Sequence, residues 1–415
     1  MNAKARTDFG SDQPQHRAAF SRLIAPRSIE EFAACYERAP LHVSRNEPGR
    51  YDPYFSVAEM ERVLLGCELH AQDLQIIKDG TAARTQTYTR ARSGPVHPLE
   101  DAQTSIVHPD RVSALLAGGC TVVLDHVNKY SPSMARLCRE LELFFGCGVN
   151  PNVYMTPPGN QGFAVHYDTH DALVIQVAGS KHWRVYESAF RLPLEHQYWN
   201  KALYPAGNVA LEMEMQPGDF LYIPRGCLHE AKANEELSLH VTIGLYPALW
   251  ANVAADALMR AAETLAELRE SASPSNADAV AQQLASALSA ERLVEALQRL
   301  GKRWRSERDN ALDGQLEQLA ALPRLGDSSI VSRRAGLSYE WTESDRGVTL
   351  AFSGKSLSLP KCAAAIIRKL EAADALALPV LCEEGEAGRK VVRKLIQEGF
   401  AVQRLGERYD SSAIA

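Results

Sequence analysis

The sequence predicts an α+β protein in three parts: a β-rich catalytic domain, a helical module and a C-terminal domain of strands and helices. Short apolar runs bounded by Gly and Pro indicate buried strands in the first part. Ala and Leu at helical spacing mark the second part, and two strands, two helices and a final strand mark the third. We expect these parts at 21–248, 249–325 and 326–406, with a disordered start at 1–20 and a tail at 407–415.

The most informative residues are His166 and Asp168 together with His229, which follows His166 by 63 positions. Residues two apart on a strand project to the same side, so His166 and Asp168 can supply two ligands from one strand end. Two imidazoles and one carboxylate on one face of Fe(II) leave the opposite face open for a co-substrate and dioxygen. We therefore predict that His166, Asp168 and His229 are the metal ligands and the catalytic residues.

The segments that flank these residues carry much of this prediction. A His-x-Asp pair alone is weak support in a chain with 12 His and 51 acidic residues. Residues 217–226, however, predict a turn, a buried strand and a second turn, which deliver His229 to a strand end. Cys227 also lies near His229, but a small buried side chain is the simpler interpretation of that cysteine.

Lys181 follows the first pair at a predicted turn. Residues 173–178 and 181–186 predict two strands joined at Gly179–Ser180, which places Lys181 just after a hairpin. A lone lysine in such a place is usually a solvated charge. Beside an iron site it becomes a candidate partner for a dicarboxylate co-substrate, because a buried ammonium needs an anion.

Together, these motifs resemble the JmjC-type 2-oxoglutarate oxygenases and, within them, the ribosomal oxygenases, also called the bacterial cupin-4 group. The matching segments are 152–163, 166–168, 179–186, 223–229 and 238–244. The resemblance implies that the catalytic domain is a double-stranded β-helix, the cupin or jelly-roll barrel. It also implies iron at the predicted triad and the distal carboxylate of 2-oxoglutarate at Lys181.

The same resemblance assigns further residues to the binding of co-substrate and substrate. Asn152 and Tyr154 would line the site. Gly244 stands where the family often carries a small polar residue, so a hydrogen bond from that point must come from elsewhere. Thr242, on the same strand face, is our expected substitute.

The reaction implied by the resemblance is hydroxylation of a carbon in a protein side chain, with Fe(II), 2-oxoglutarate and dioxygen. The favoured substrate is a histidine or arginine of a ribosomal protein. One alternative is a hydroxylase that tailors a ribosomally made peptide natural product. Another, from a different class, is a non-catalytic cupin-like binding protein, which would have no reason to keep the triad and Lys181 together.

Composition indicates a soluble cytoplasmic enzyme. A chain of 415 residues with 46% hydrophobic content can bury a sizeable core. It has no apolar run of about 18 residues, so we expect neither a membrane span nor a secretory signal. The eight cysteines form no Cys-x-x-Cys pair, which favours a reducing compartment. The net charge of −6 argues against general polyanion binding.

The two accessory parts each allow more than one interpretation. The helices of 250–322 either pack on the barrel or form a homodimer interface, and the resemblance favours the homodimer. The third part suggests a winged helix, a fold that often binds DNA. Residues 331–415 hold 13 Lys and Arg against 11 Asp and Glu, whereas a DNA-binding domain should be clearly basic. We expect a scaffold role there without direct nucleic-acid binding.

Overall fold

The computed structural model describes residues 14–91, 105–188, 190–203, 205–307, 313–337, 339–383 and 385–404. The chain divides into two units, Met1–Tyr246 and Pro247–Ala415. The predicted catalytic domain ends close to this division. The predicted tail at 407–415 lies outside the described residues, as do residues 1–13 of the predicted disordered start.

The first unit combines five helices with thirteen strands in its described part. The helices are α1 Pro14–Ile24, α2 Ile29–Cys35, α3 Val57–Gly66, α4 Pro109–Ala117 and α5 Pro132–Phe145. The strands are β1 Leu41–Val43, β2 Leu74–Lys78, β3 Thr81–Ala82, β4 Thr89–Ala91, β5 Ser105–Val107, β6 Thr121–Leu124, β7 Gly148–Thr156, β8 Asp171–Ala178, β9 Lys181–Ser188, β10 Val209–Met215, β11 Phe220–Ile223, β12 Cys227–Ala233 and β13 Ser238–Tyr246.

Two antiparallel sheets form the barrel. Eight strands make the large sheet in the order β1-β11-β8-β13-β7-β6-β2-β3, and three make the small sheet in the order β10-β9-β12. Side chains of both sheets meet in one apolar cluster, for example Val174 and Ile223 from the large sheet with Trp183 and Val185 from the small one. The sheets therefore pack face to face, as a cupin barrel requires.

The opposite face of the large sheet is covered by helices. Phe20 of α1 stacks on Phe144 of α5 with ring centroids 4.8 Å apart, and Phe32 of α2 meets Tyr222 of β11 edge-on at 5.0 Å. Ser28 and Glu31 form the capping box at the start of α2. Because β8 is covered on both faces, seven of its eight residues are buried.

Helix α1 corrects the expected disordered start at 1–20. Residues 14–20 belong to α1, and Ala19 and Phe20 are fully buried. The segment is poor in large apolar groups, but its few apolar residues lie at the end that packs on α2 and α5. Tertiary packing therefore orders a segment whose composition is typical of disorder.

The turn at Gly179–Ser180 also differs from the expectation. The predicted strands are present as β8 and β9, but they do not pair with each other as a hairpin. The chain instead crosses from the large sheet to the small one at this turn. Gly179 has φ +56°, and a Cβ there would lie 2.3 Å from the carbonyl oxygen of Leu237, so only glycine fits. Lys181 consequently begins the small sheet and is buried.

A buried charge network connects α2 to the turn before β12. Arg225 Nη1 donates to Asp171 Oδ2 at 2.5 Å and to Glu37 Oε1 at 2.9 Å. The Tyr222 hydroxyl donates to Asp171 Oδ1 at 2.7 Å and accepts from the backbone N–H of Glu37 at 2.8 Å. Each buried charge thus has a hydrogen-bonded partner, which offsets its desolvation.

In the second unit, helices come first and small sheets follow. The helices are α6 Trp250–Ala262, α7 Ala277–Ala287, α8 Ala290–Glu307, α9 Gln315–Ala321, α10 Ala363–Ala372, α11 Leu378–Leu381 and α12 Glu386–Gln397. The strands are β14 Ile330–Arg333, β15 Tyr339–Ser344, β16 Gly347–Phe352, β17 Lys355–Leu359, β18 Leu376–Ala377 and β19 Ala401–Gln403. Strands β15, β16 and β17 form one sheet, and β18, β14 and β19 form another.

Candidate active site

His166 and His229 are paired through their backbones at one edge of the small sheet. The connection between β7 and β8 runs antiparallel to β12, with bridges of Gln161 to Lys232 and of His166 to His229. The N–H of His229 donates to the carbonyl of His166 at 2.8 Å, and the N–H of His166 donates back at 3.2 Å. Two residues far apart in sequence are thus held opposite each other.

Asp168 completes the group. Its Oδ1 lies 3.9 Å from His166 Nε2, and its Oδ2 lies 3.7 Å from His229 Nε2. One candidate ligand atom from each of the three residues lies within 4.8 Å of the other two. The backbone carbonyl of Asp168 accepts from the N–H of Gly226 at 3.0 Å, which fixes this residue against the turn before β12. The spacing suits three ligands on one face of a metal ion.

Both histidines are oriented by backbone carbonyls. His166 Nδ1 lies 2.8 Å from the carbonyl oxygen of Ala164, and His229 Nδ1 lies 3.2 Å from that of Cys227. Because a carbonyl only accepts, each Nδ1 carries the proton and each Nε2 keeps its lone pair. Such a bond fixes the tautomer and the ring orientation of a metal-binding histidine.

The charge states of His229 and Asp168 also suit a divalent cation. Burial, assisted by the nearby His166, lowers the pKa of His229 to about 4, so its imidazole is neutral at pH 7. Burial alone would raise the pKa of Asp168, but the neighbouring His170, His229 and His166 bring it below its ordinary value. The site therefore offers the neutral imidazole of His229 and the ionised carboxylate of Asp168 to a cation.

A cavity opens between the two sheets beside these residues. Its wall includes the triad and, further in, Lys181, Thr156 and His240. Lys181 Nζ donates to Thr156 Oγ1 at 2.9 Å and contacts His240 Nδ1 at 3.0 Å. Within the described ranges no carboxylate lies within ion-pair distance of Nζ, and burial lowers the pKa of Lys181 to about 7. The cavity therefore contains a buried amine that has no counter-ion in the described part of the chain.

Comparison with known proteins agrees with this geometry. Residues 124–253 match the family model described as the JmjC domain. This segment of the chain is similar to a JmjC domain. It is 34% identical to "Ribosomal oxygenase 1" of Gallus gallus over 57% of this chain and 38% of that protein. It is 33% identical to the "bifunctional lysine-specific demethylase and histidyl-hydroxylase NO66" of Aedes aegypti over 65% of this chain and 42% of that protein. The chain thus spans less than half the length of these relatives.

A solved structure of YcfD, a ribosomal oxygenase from Escherichia coli, has the same fold. It aligns with a TM-score of 0.51 and 17% identity over 92% of this chain and 99% of that one. A second YcfD structure, in complex with cobalt and 2-oxoglutarate, aligns equally well. The resemblance to the JmjC ribosomal oxygenases that the motifs indicated is confirmed. None of the helices in the described part of the chain has the length and apolar character of a membrane span.

The cavity beside the triad contains most of the residues predicted to bind co-substrate. Tyr154, Lys181 and Thr242 line it. Asn152 is outside this lining, although it lies on the same strand face as Tyr154. Its Oδ1 accepts from the backbone N–H of His126 at 3.1 Å.

Packing explains why residue 244 is a glycine. A Cβ at this position would approach the His170 ring and the Tyr246 ring to 3.1 Å each. His170 thus occupies the space that a side chain at 244 would need. Thr242 is the expected substitute for a polar side chain at position 244. It precedes Gly244 on the same face of β13 and lines the cavity, so its hydroxyl lies within reach of the site.

Sequence reasoning overlooked three residues around the lysine. Thr156 follows Tyr154 on the same face of β7, and its hydroxyl also accepts from Thr121 Oγ1 at 3.1 Å. His240 on β13 and Trp183 on β9 are the other two, and both line the cavity. The period of two along each strand could have identified Thr156 and Trp183, which stand two residues after Tyr154 and Lys181.

Proposed function

We propose that the protein is an Fe(II)- and 2-oxoglutarate-dependent dioxygenase that hydroxylates a protein side chain. One observation carries this proposal: the triad shares a cavity with buried Lys181, whose Nζ has no carboxylate within ion-pair distance among the residues that the structure describes. The donor set fits iron, because two imidazoles and a carboxylate leave coordination positions open. Iron bound there would, with 2-oxoglutarate, supply the activation of dioxygen, so that one oxygen atom enters the substrate as a hydroxyl group, the other enters succinate, and CO2 is released.

His166, Asp168 and His229 would hold the metal. The Ala164 and Cys227 carbonyls keep both histidines in the Nδ1–H tautomer, so neither ring must reorient when a metal binds. The shared backbone bridge preserves their spacing. This preorganisation limits the conformational cost of loading the site.

Lys181 would bind the distal carboxylate of 2-oxoglutarate. Its ammonium has three N–H donors, and the two contacts to Thr156 and His240 leave one available. The Thr156 hydroxyl accepts from both Thr121 and Lys181, so its own hydrogen is free to donate to the same carboxylate. Tyr154 stays protonated, because burial raises the pKa of its hydroxyl. Thr242 lines the same cavity.

The favoured substrate is a histidine or arginine side chain of a ribosomal protein. Support comes from the relatives, whose names specify a ribosomal oxygenase and a histidyl-hydroxylase. The test compares the masses of ribosomal proteins from cells with and without this chain, and then from cells that carry only His229→Ala. A gain of one oxygen that requires both the chain and His229 supports the proposal. Identical masses in all strains argue against a ribosomal substrate.

We also propose that the helical module forms a homodimer interface. The described core between α6 and α8 consists of only Val253, Ala257 and Ala296, with Leu293 and Leu300 partly buried. Other apolar side chains of these two helices are exposed, namely Trp250, Met259, Val294 and Leu297. So small a core gains stability from a second copy that covers the exposed side chains.

For residues 326–406 we propose a winged-helix scaffold that does not bind nucleic acid. Strands β16 and β17, helices α10 and α12 and strand β19 follow one another along the chain, with β18 and α11 between the two helices. The basic segment 389–394 on α12 is largely neutralised locally. Arg389 pairs with Asp327, Lys394 Nζ lies 2.7 Å from Glu398 Oε1, and Arg393 donates to the carbonyl of Leu322. A phosphate-binding face would keep these cations free.

We propose that the protein is located in the cytoplasm, and the state of its cysteines supports this location. Cys35, Cys67, Cys120, Cys138, Cys227 and Cys382 form no disulfide among the described residues, and Cys138, Cys227 and Cys382 are buried. Free thiols persist in a reducing compartment.

A further inference from the structure

His240 is buried against Lys181 in the interior of the cavity. Its Nδ1 lies 3.0 Å from Lys181 Nζ, and both side chains are almost fully buried. An ammonium can only donate, so Nδ1 accepts and the ring proton of His240 is on Nε2. Burial and the charge of Lys181 keep the pKa of His240 well below its ordinary value, so the imidazole is a neutral acceptor.

Two aromatic rings fix the His240 imidazole. It stacks on Tyr154 with centroids 4.6 Å apart and an interplanar angle of 3°, and the edge of Trp183 meets it at 5.4 Å. The ring therefore has little freedom to rotate away from Lys181. The position of Nδ1, and hence of the hydrogen bond that it accepts, is set by packing.

The flexible stem of a lysine gives the ammonium no preferred direction by itself. Thr156 on β7 and His240 on β13 each accept one N–H of Lys181. These strands are neighbours in the large sheet, with Tyr154 and His240 directly paired, whereas Lys181 comes from the small sheet. Two fixed acceptors on one sheet thus orient a donor from the other.

We propose that His240 is a positioning residue for the co-substrate: by accepting one N–H of Lys181 through Nδ1, it directs the remaining N–H toward the distal carboxylate. This inference rests on the proposed function. It assigns His240 a role in the selection of a dicarboxylate over a monocarboxylate 2-oxo acid, because only the dicarboxylate reaches Lys181. His240 itself contacts neither the metal nor the reacting carbon in this assignment.

The test measures binding to the full chain loaded with Co(II), by titration calorimetry with 2-oxoglutarate and separately with 2-oxobutyrate, which lacks the distal carboxylate. We expect His240→Leu to raise the Kd for 2-oxoglutarate by about tenfold or more and to leave that for 2-oxobutyrate unchanged. His240→Asn and His240→Gln form a matched pair. The Asn oxygen can occupy the place of Nδ1, whereas the Gln oxygen extends toward the place of Nε2. We therefore expect Asn to retain most of the selectivity and Gln to lose it.

Three results would overturn this role for His240. The first is an unchanged ratio of the two Kd values in folded His240→Leu. The second is an equal loss for both acids, which would indicate a general packing role. The third, informative even if His240→Leu does not fold, is equal selectivity in the Asn and Gln variants. Failure of the wild-type chain to bind 2-oxoglutarate is a separate outcome, which would refute the proposed function itself.

Discussion

His166 and His229 exchange two backbone hydrogen bonds, of 2.8 and 3.2 Å, while their side chains point to the same cavity. The spacing of the two imidazoles, whose centroids are 4.5 Å apart, is thus a property of the backbone. Removing one imidazole leaves this bridge in place. Side-chain substitutions can therefore separate metal binding from folding.

We expect His229→Ala to abolish Fe(II) binding and 2-oxoglutarate turnover while the protein stays folded, because two remaining ligands hold the ion poorly and the metal is not structural. Metal binding is followed by calorimetry with Co(II), and folding by circular dichroism. His182→Ala is the matched control, because His182 lies in the same sheet but pairs with Glu212 at 3.0 Å away from the cavity. Turnover by folded His229→Ala would exclude this site.

We expect Lys181→Ala to raise the KM for 2-oxoglutarate by at least about tenfold, since a hydrogen bond to a charged group contributes about 1.5–3 kcal/mol. Initial rates over a range of 2-oxoglutarate concentrations measure this directly. Lys232→Ala serves as the control, because Lys232 is exposed on the neighbouring strand β12. An unchanged KM in Lys181→Ala would show that another residue, such as Arg184, holds the carboxylate.

The buried amine should also affect stability in the absence of co-substrate. Burial lowers the pKa of Lys181 from 10.5 to about 7. Between these values the unfolded chain holds a proton that the folded chain lacks, so this group makes the free energy of unfolding rise with pH. Below about pH 7 both states are protonated and the cost of burial is fully present.

Lys181→Met removes the contribution of this amine to the pH dependence of the free energy of unfolding. Urea unfolding should therefore show the largest stability advantage of Lys181→Met over wild type near pH 7, and a smaller one near pH 9.5. The opposite trend would mean that the amine keeps its ordinary pKa in the folded protein.

We expect Gly244→Ser to destabilise the fold by about 1 kcal/mol, because the new Cβ presses on the His170 and Tyr246 rings. In a His170→Ala background the same change should cost less, since the ring is gone. A urea-unfolding double-mutant cycle measures the difference. Gly207→Ser is the control, as nothing lies within 4 Å of a Cβ there. Additive effects of Gly244→Ser and His170→Ala would contradict this account of the glycine.

Light scattering at micromolar concentration should give about twice the 45.7 kDa mass of the chain. Val294→Glu combined with Leu297→Glu, on the exposed face of α8, should give the monomer mass, whereas Leu316→Glu on α9 should not. A monomeric wild type would mean that the helical module has only a packing role.

Gel shifts near physiological salt should show no specific DNA complex with this protein. A salt-sensitive DNA complex would exclude the scaffold role of residues 326–406.

Local patterns predicted much of the fold and the site. Apolar runs bounded by turn residues predicted β8, β9 and β11, because these signals depend on neighbours in sequence. The sheet to which β9 belongs could not be predicted locally, since a turn at Gly179 is compatible with a hairpin and with a crossover. Likewise, the contact of His240 with Lys181 joins strands of different sheets and depends on tertiary packing.

The network around Arg225 has a consequence for the smallest piece of this chain that can fold alone. Residues 124–253 match the JmjC domain, yet Arg225 within them pairs with Glu37, which precedes the match by more than 80 positions. A fragment cut to that match would lose one of the two acids around Arg225, strand β1 beside β11 and the aromatic cover of α1 and α2. We therefore expect the autonomous folding unit to include α1 and α2 in addition to the match, so that the segment carrying the chemistry is shorter than the segment needed to stabilise it.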